Sequence, residues 1–177
     1  VKEEEQVTEN LSLEPLTDYS KYKALCEEIL QKYIDKNFTG MIVRPATVCG
    51  YSKRLRLDLS VNILTTHAYF KNKITIFGGE QYRPNLNILD MIEFYVEALK
   101  YDSNLINGEI FNVGFKNQSV NELASEVKDV IGSDIKIINT ETNDNRSYHI
   151  NSDKIYNKLG FKPKRSIESA VQDLCIA

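Results

Sequence analysis

Tryptophan is absent from these 177 residues, histidine occurs twice, cysteine three times and proline four times, and no long apolar run is present. Each shortage removes a class of function. His67 and His149 lie far apart, and Cys26, Cys49 and Cys175 form no C-x-x-C pair, so no zinc-ligand spacing exists and no metal is expected. An odd cysteine count also argues against a disulfide framework and suits a reducing cytoplasm. No stretch approaches the roughly 20 apolar residues that cross a bilayer, and the opening VKEEEQVTEN is acidic rather than a targeting signal. Cationic charge is in short supply as well. With 22 Lys and Arg against 25 Asp and Glu, a net charge of −3 leaves no basic stripe for nucleic acid, while small anionic ligands stay open.

What is there is a chain with 42% hydrophobic content, enough for one domain with a real core and tight for two. Beginning at Val rather than Met, it reads as part of something longer. Residues 1–16 are polar and aperiodic, and Pro15 leads into a helix that Thr17 or Asp18 caps. Tyr22, Leu25, Cys26, Ile29, Leu30 and Tyr33 recur at helical spacing and predict one buried stripe. MIVRPATV, an apolar run without polar alternation, reads as a strand buried on both faces of a parallel sheet. Gly50 ends it; a basic loop, YSKRLRLD, then precedes the helical LSVNILTTHAYF.

ITIF reads as a strand closed by a Gly78-Gly79 turn. ILDMIEFYVEALKY reads as a helix with Ile88, Met91, Ile92, Tyr95, Val96 and Leu99 on its buried side, and EIFNVG as another strand. Ser119 and Glu122 form a capping box for a helix that Gly132 follows as the residue beyond the cap. DIKIINT alternates as a half-buried strand, and SDKIYNKLG and SIESAVQDLCIA each open on a serine suited to an N-cap. Strands separated by helices define an α/β class.

Tyr19 and Lys23 stand four apart at the start of the first helix and therefore share a face. An ammonium beside a phenol favours the phenolate, which makes a usable general base. Spacing alone is weak, since about one such pair is expected by chance in this composition and a second, Tyr69 with Lys73, occurs. Lys73 falls past its helix end. The bland reading of Tyr19 and Lys23 is a buried tyrosine and a solvated lysine.

Five stretches in order, YSKYK, IVRPATVCG, YRPNLNILDM, EIFNVG and DNRSYHINSDKIYNKLGFKP, resemble the latter half of the extended short-chain dehydrogenase/reductases of the nucleotide-sugar epimerase and dehydratase type. The resemblance implies an α/β fold: the C-terminal part of a Rossmann-type parallel sheet domain plus a smaller mixed α/β substrate lobe. Residues 1–50 would end the NAD-binding domain, and 51–177 would mainly build the substrate lobe, with elements returning to the Rossmann domain. It further implies epimerisation or dehydration of a nucleotide sugar through a transient keto-sugar, with NAD, or NADP, as cofactor and a homodimer as assembly.

By the same likeness Tyr19 and Lys23 are catalytic and also touch the cofactor, and Ala46, Thr47 and Val48 line its nicotinamide end. Arg83 and Arg146 meet the substrate diphosphate, whose geometry suits guanidinium forks, and Asn62 lies near the phosphates. Surface ion pairs for the arginines, a satisfied buried amide for Asn62 and plain core packing for Val48 are the competing accounts. Lys53, Arg54 and Arg56 could steer an anion, or could simply be solvated. Departures exist: Cys49 stands in a tyrosine place, and Pro84 with Asn85 follows Arg83 where an Asp and an aromatic are usual. No glycine-rich phosphate loop of the G-x-G-x-x-G kind occurs, so the 177 residues alone are expected to be incomplete and inactive. A reductase acting on a substrate without a nucleotide, and a non-catalytic sugar-nucleotide-binding remnant, are the alternatives.

Overall fold

The computed structural model describes residues 6–142 and 147–177. In chain order the elements are α1 (Asp18–Tyr33), β1 (Ile42–Pro45), β2 (Thr47–Cys49), α2 (Ser60–Lys71), β3 (Lys73–Phe77), β4 (Tyr82–Asn87) and α3 (Ile88–Ala98). There follow α4 (Ser103–Ile106), β5 (Ile110–Val113), β6 (Lys116–Ser119), α5 (Val120–Ile131), β7 (Lys136–Thr140), α6 (Asp153–Leu159) and α7 (Ile167–Ile176). Among the described residues three small sheets result: β1 pairs with β5 and β3 with β7, both parallel, while β4 lies between a parallel β2 and an antiparallel β6.

The apolar run 41–48 is thus two strands, and it serves two sheets. Proline at 45 has no N–H to give to a ladder, and the chain switches partner there, β1 registering with Ile110–Val113 and β2 with Asn85–Asn87. Burial on both faces does not hold for β1, where Ile42 is buried, Val43 and Arg44 are partly so and Pro45 is exposed.

Two hydrophobic clusters fill the interior. One gathers Val61, Leu64 and Ala68 of α2, Ile74 and Ile76 of β3, Leu123 and Val127 of α5 and Val171 of α7. The other gathers Leu86, Phe94, Phe111, Val113, Ile155 and Phe161, with the Phe94 and Phe161 rings 4.9 Å apart. Val48 packs on the second cluster and Cys49 belongs to the first, so the chain crosses between them at β2.

Burial of Cys49 has a chemical consequence. Desolvation pushes its thiol up to about 12, and the Sγ donates to the Leu86 carbonyl at 3.5 Å. Cys26 lies exposed on α1. A thiol reagent at pH 8 is expected to label Cys26 in the native protein and to reach Cys49 about a thousandfold more slowly than an ordinary thiol, until denaturant is added. Peptide mass spectrometry over a time course reads both; equal native rates would show that the β2–β4 packing opens freely.

Several helices begin as the sequence predicts. Thr17 caps α1, in a capping box with Ser20, and Ser119 caps α5, in a box with Glu122. Ser166 caps α7 through Ser169 N. Ser152 stands at the N-cap of α6 but makes no cap bond, because its hydroxyl accepts from Gly114 N at 3.0 Å instead. Gly132 is itself the C-cap of α5 rather than the residue beyond it.

Three predicted faces are corrected. No residue of α1 is buried, and Tyr22, Leu25, Ile29 and Tyr33 are exposed; the helix is tied to the rest by Glu27, which receives Arg44 of β1, and by Gln31, which donates to the Gly108 carbonyl. Helix α3 buries Asp90, Met91, Phe94 and Ala98, while Ile92, Tyr95, Val96 and Leu99 are exposed. The pattern failed there since it counted a carboxylate as an outside residue. Strand β7 is exposed along all five residues, being an edge with β3 as its partner; only Ile135, just before it, enters the core.

Candidate active site

Tyr19 and Lys23 occupy the first two turns of α1, aligned by the Thr17 cap. Tyr19 is 74% exposed, and the Lys23 Nζ sits 5.9 Å from the centre of its ring. The phenol is therefore not held in packed hydrocarbon. It borders a shallow hollow of about 270 Å³ together with Leu13, Pro15, Ser20 and Lys23. A second hollow, of about 260 Å³, shares Leu13, Glu14 and Arg44 with the first and runs to Asn112, Tyr148 and His149.

The wall between these hollows is the segment before α1, which the sequence left as a plain loop. Buried Glu9 accepts from Asn112 N at 2.7 Å, Asn112 Nδ2 donates to Val7 O at 3.0 Å, and Arg44 Nη1 donates to Glu9 O at 3.3 Å. Arg44 also grips Glu27 of α1 through Nε and Nη2, the latter at 2.6 Å. A partly buried bidentate pair of this kind fixes orientation as well as distance. Arg44 thus ties β1, α1 and the 7–14 segment into one frame around Tyr19. No local motif announces this, since its partners lie 17 and 35 residues away.

Beyond β1, Ala46 is buried and Val48 packs in the core, while Thr47 reaches Tyr148, its Oγ1 3.3 Å from the phenol oxygen. The Arg83 guanidinium lies over the same Tyr148 ring at 5.5 Å, and its Nη1 donates to Tyr82 O at 2.9 Å. Tyr82 in turn stacks on His149 at 4.3 Å. The structure therefore brings Thr47 and Arg83 together on an aromatic platform that the sequence did not single out. Arg146 lies outside the described residues.

Asn62 is 2% exposed and its amide is fully engaged with backbone. Its Oδ1 accepts from Gly50 N at 2.9 Å, and its Nδ2 donates to Arg56 O at 2.8 Å. It pins both ends of the basic loop that leaves β2. Gly50 itself has φ +109, a conformation that favours glycine, and a Cβ there would meet Ile88 at 3.2 Å. Lys73, placed in β3 beyond Asn72, does not share a helix face with Tyr69.

Tyr19 and Lys23 thus stand one turn apart on an exposed helix face, beside a frame of small, mostly parallel sheets. Residues 1–114 match the NAD dependent epimerase/dehydratase family, and the chain belongs to it. It is 28% identical over 180 residues to a UDP-glucose 4-epimerase of Lactobacillus helveticus, a match covering 89% of this chain and 54% of the relative. The fold is shared with solved structures, of which two serve as examples. A UDP-glucuronic acid 4-epimerase from Bacillus cereus, in complex with UDP-glucuronic acid and NAD, superposes with TM-score 0.82 at 23% identity over 99% of this chain and 57% of that one. A dTDP-glucose 4,6-dehydratase from Bacillus anthracis, in complex with NAD, gives 0.81 at 20% identity over 99% and 56%. The chain spans about half the length of the relatives it matches. Among the described residues no helix is long and apolar enough to cross a membrane.

Proposed function

We propose that the chain carries the proton-transfer half of an NAD-dependent nucleotide-sugar epimerase or dehydratase. The observation that supports this most directly is an exposed Tyr19 phenol beside the Lys23 ammonium, at the edge of a hollow framed by Arg44. An amine and a phenol, both open to solvent on one helix face, fit the nicotinamide-ribose end of the cofactor. Its pyrophosphate finds no such fit, because residues 1–177 contain no glycine-rich loop.

In this reading Tyr19 takes the proton from a sugar hydroxyl as the carbon beneath it is oxidised to a ketone, and returns the proton later. The chemistry that bound NAD would supply there is reversible acceptance of the hydride. Lys23, with its Nζ 5.9 Å from the centre of the Tyr19 ring, would hold the cofactor ribose and keep the phenol in register. Thr47 and the backbone at Ala46 and Val48 border the nicotinamide end. Arg83, braced over Tyr148, meets the diphosphate with its planar fork. Asn62 serves the site by pinning the 50–56 loop.

The cluster built on β5, α3 and α6 would then close the cofactor domain, and the cluster built on α2, α5, α7 and β3 would be the core of the substrate lobe. The outward stripe of Tyr22, Leu25, Ile29 and Tyr33 on α1 offers a second copy a surface for a homodimer. Three free thiols suit a reducing cytoplasm.

The test is turnover by the full gene product. Given NAD and UDP-glucose or dTDP-glucose, it is expected to form an epimer or a 4-keto-6-deoxy product, resolved by anion-exchange chromatography and NMR, while residues 1–177 alone form none. A full product that binds nucleotide sugars and never alters them would instead support the binding-only alternative.

A further inference from the structure

Tyr19, Lys23 and Glu27 follow one another at intervals of four along α1, and all three line the hollow of about 270 Å³ together with Arg44 of β1. A lysine and a glutamate four apart on a helix readily pair. Among the described residues this pair is not made. Both Glu27 oxygens are occupied by Arg44, Oε1 accepting from Nε at 3.0 Å and Oε2 from Nη2 at 2.6 Å, and the Lys23 Nζ lies instead 5.9 Å from the centre of the Tyr19 ring.

The other carboxylates of this stretch are placed differently. Asp18 pairs with Lys21 at 3.2 Å in open solvent, and Glu14 and Glu28 are exposed. Glu27 has only 21% of its side chain exposed, and so has Arg44 opposite it. A carboxylate so sheltered draws a cation more strongly than an open one, because less water screens it. Without the guanidinium, the cation one turn back on its own helix face is the Lys23 ammonium.

We propose that Arg44 is a positioning residue for the cofactor: by filling Glu27 it denies that carboxylate to Lys23 and leaves the ammonium on the Tyr19 side of the hollow, free for the nicotinamide ribose. This placement rests on the cofactor role proposed for Lys23. It differs from the bracing of α1 and the 7–14 segment in what abolishes it. A brace is lost whenever the Arg44–Glu27 bond is lost; the placement of Lys23 is lost only when Glu27 is left as an unpaired carboxylate.

Calorimetry with NAD on the full gene product separates the two without needing turnover. Lys23→Met should weaken NAD binding about tenfold, the usual worth of a hydrogen bond from a charged group. Arg44→Met should weaken it about threefold, since Glu27 then holds the ammonium for part of the time. Arg44→Met combined with Glu27→Gln also lacks the bond, yet should recover nearly all of that loss. With Lys23→Met already in place, Arg44→Met should change nothing further, because it acts through Lys23. If Arg44→Met does not fold, Arg44→Gln, which keeps a donor for the Glu9 carbonyl, is held to the same outcomes. An Arg44→Met protein that binds NAD as wild type does overturns the assignment. So does a loss that Glu27→Gln fails to repair, which makes Arg44 a brace, or one that persists when Lys23 is methionine, which makes it a plain positive charge. Absence of NAD binding in the wild type would sink the proposed function and this placement together. NAD binding that Lys23→Met weakens and Arg44→Met does not would sink the placement alone; the expected pattern without turnover would support it and sink the oxidation chemistry alone.

Discussion

Tyr19→Phe is expected to lower turnover of a nucleotide sugar by the full gene product by about 10²- to 10⁴-fold, the usual worth of a positioned general base. The substitution removes one oxygen from a ring that is 74% exposed, so melting temperature and circular dichroism should stay at wild-type values. Substrate KM should change little, because the lost interaction is made chiefly as the proton moves. Lys23→Met is the companion test. If Lys23 holds the cofactor ribose as well as the phenol, it should raise the apparent KM for NAD and lower kcat together, whereas Tyr19→Phe lowers kcat alone. A Tyr19→Phe enzyme with more than a tenth of wild-type turnover would remove Tyr19 from the chemistry and leave the exposed pair a cation resting on a solvated ring, which at an exposed site contributes only about 0.5–1 kcal/mol.

How much of this was legible beforehand follows from which interactions are local. Caps were readable because Thr17, Ser119 and Ser166 each bond three residues ahead. Tyr19 and Lys23 were readable as a pair because a helix brings residues four apart onto one face. The α/β class followed from the alternation of strand and helix signals. The frame around the site was not readable, since Arg44 meets Glu9 and Asn112 meets Val7 across long stretches of chain. The outward stripe of α1 misled for a related reason. Periodicity reports that a helix has an apolar face and says nothing of what covers it, and here no described element does.

Helix α3 shows the same limit from the other direction. Its true inner face includes a carboxylate, Asp90, at 1% exposure, and no hydropathy count places an aspartate inside. What admits it is saturation. One oxygen accepts from Lys164 N at 3.1 Å and Arg165 N at 2.8 Å, and the other receives the Arg165 guanidinium, which also binds Glu93 at 2.9 Å. These donors lie 74 and 75 residues on, just ahead of the Ser166 cap of α7. Since α3 belongs to one hydrophobic cluster and α7 to the other, Asp90 clamps the two together.

Asp90→Ala should therefore be the most destabilising exchange of a single polar residue. It takes the acceptor from two partly buried backbone N–H groups, which water replaces in part, so together they cost about 1–3 kcal/mol, and it leaves a partly buried guanidinium with Glu93 alone. A loss of about 3 kcal/mol is expected, which for a domain of this size lowers Tm by roughly 6–12 °C. Asp90→Asn keeps an acceptor for the backbone donors and should lose less; Arg165→Ala leaves those two bonds intact and should lose less as well. Urea unfolding at constant m-value orders the three. The consequence reaches the site, because α7 packs its Ala170 against Gly50, where the basic loop leaves β2, with the Cβ of a side chain at Gly50 3.6 Å from that of Ala170. A loosened α7 lets that loop drift, so Asp90→Ala should raise KM for a nucleotide sugar at temperatures well below its own melting point while kcat, which the proposed mechanism sets at Tyr19 on α1, holds. Should Asp90→Ala unfold within 1 kcal/mol of wild type, the two clusters are held together by packing alone and the carboxylate is incidental to them.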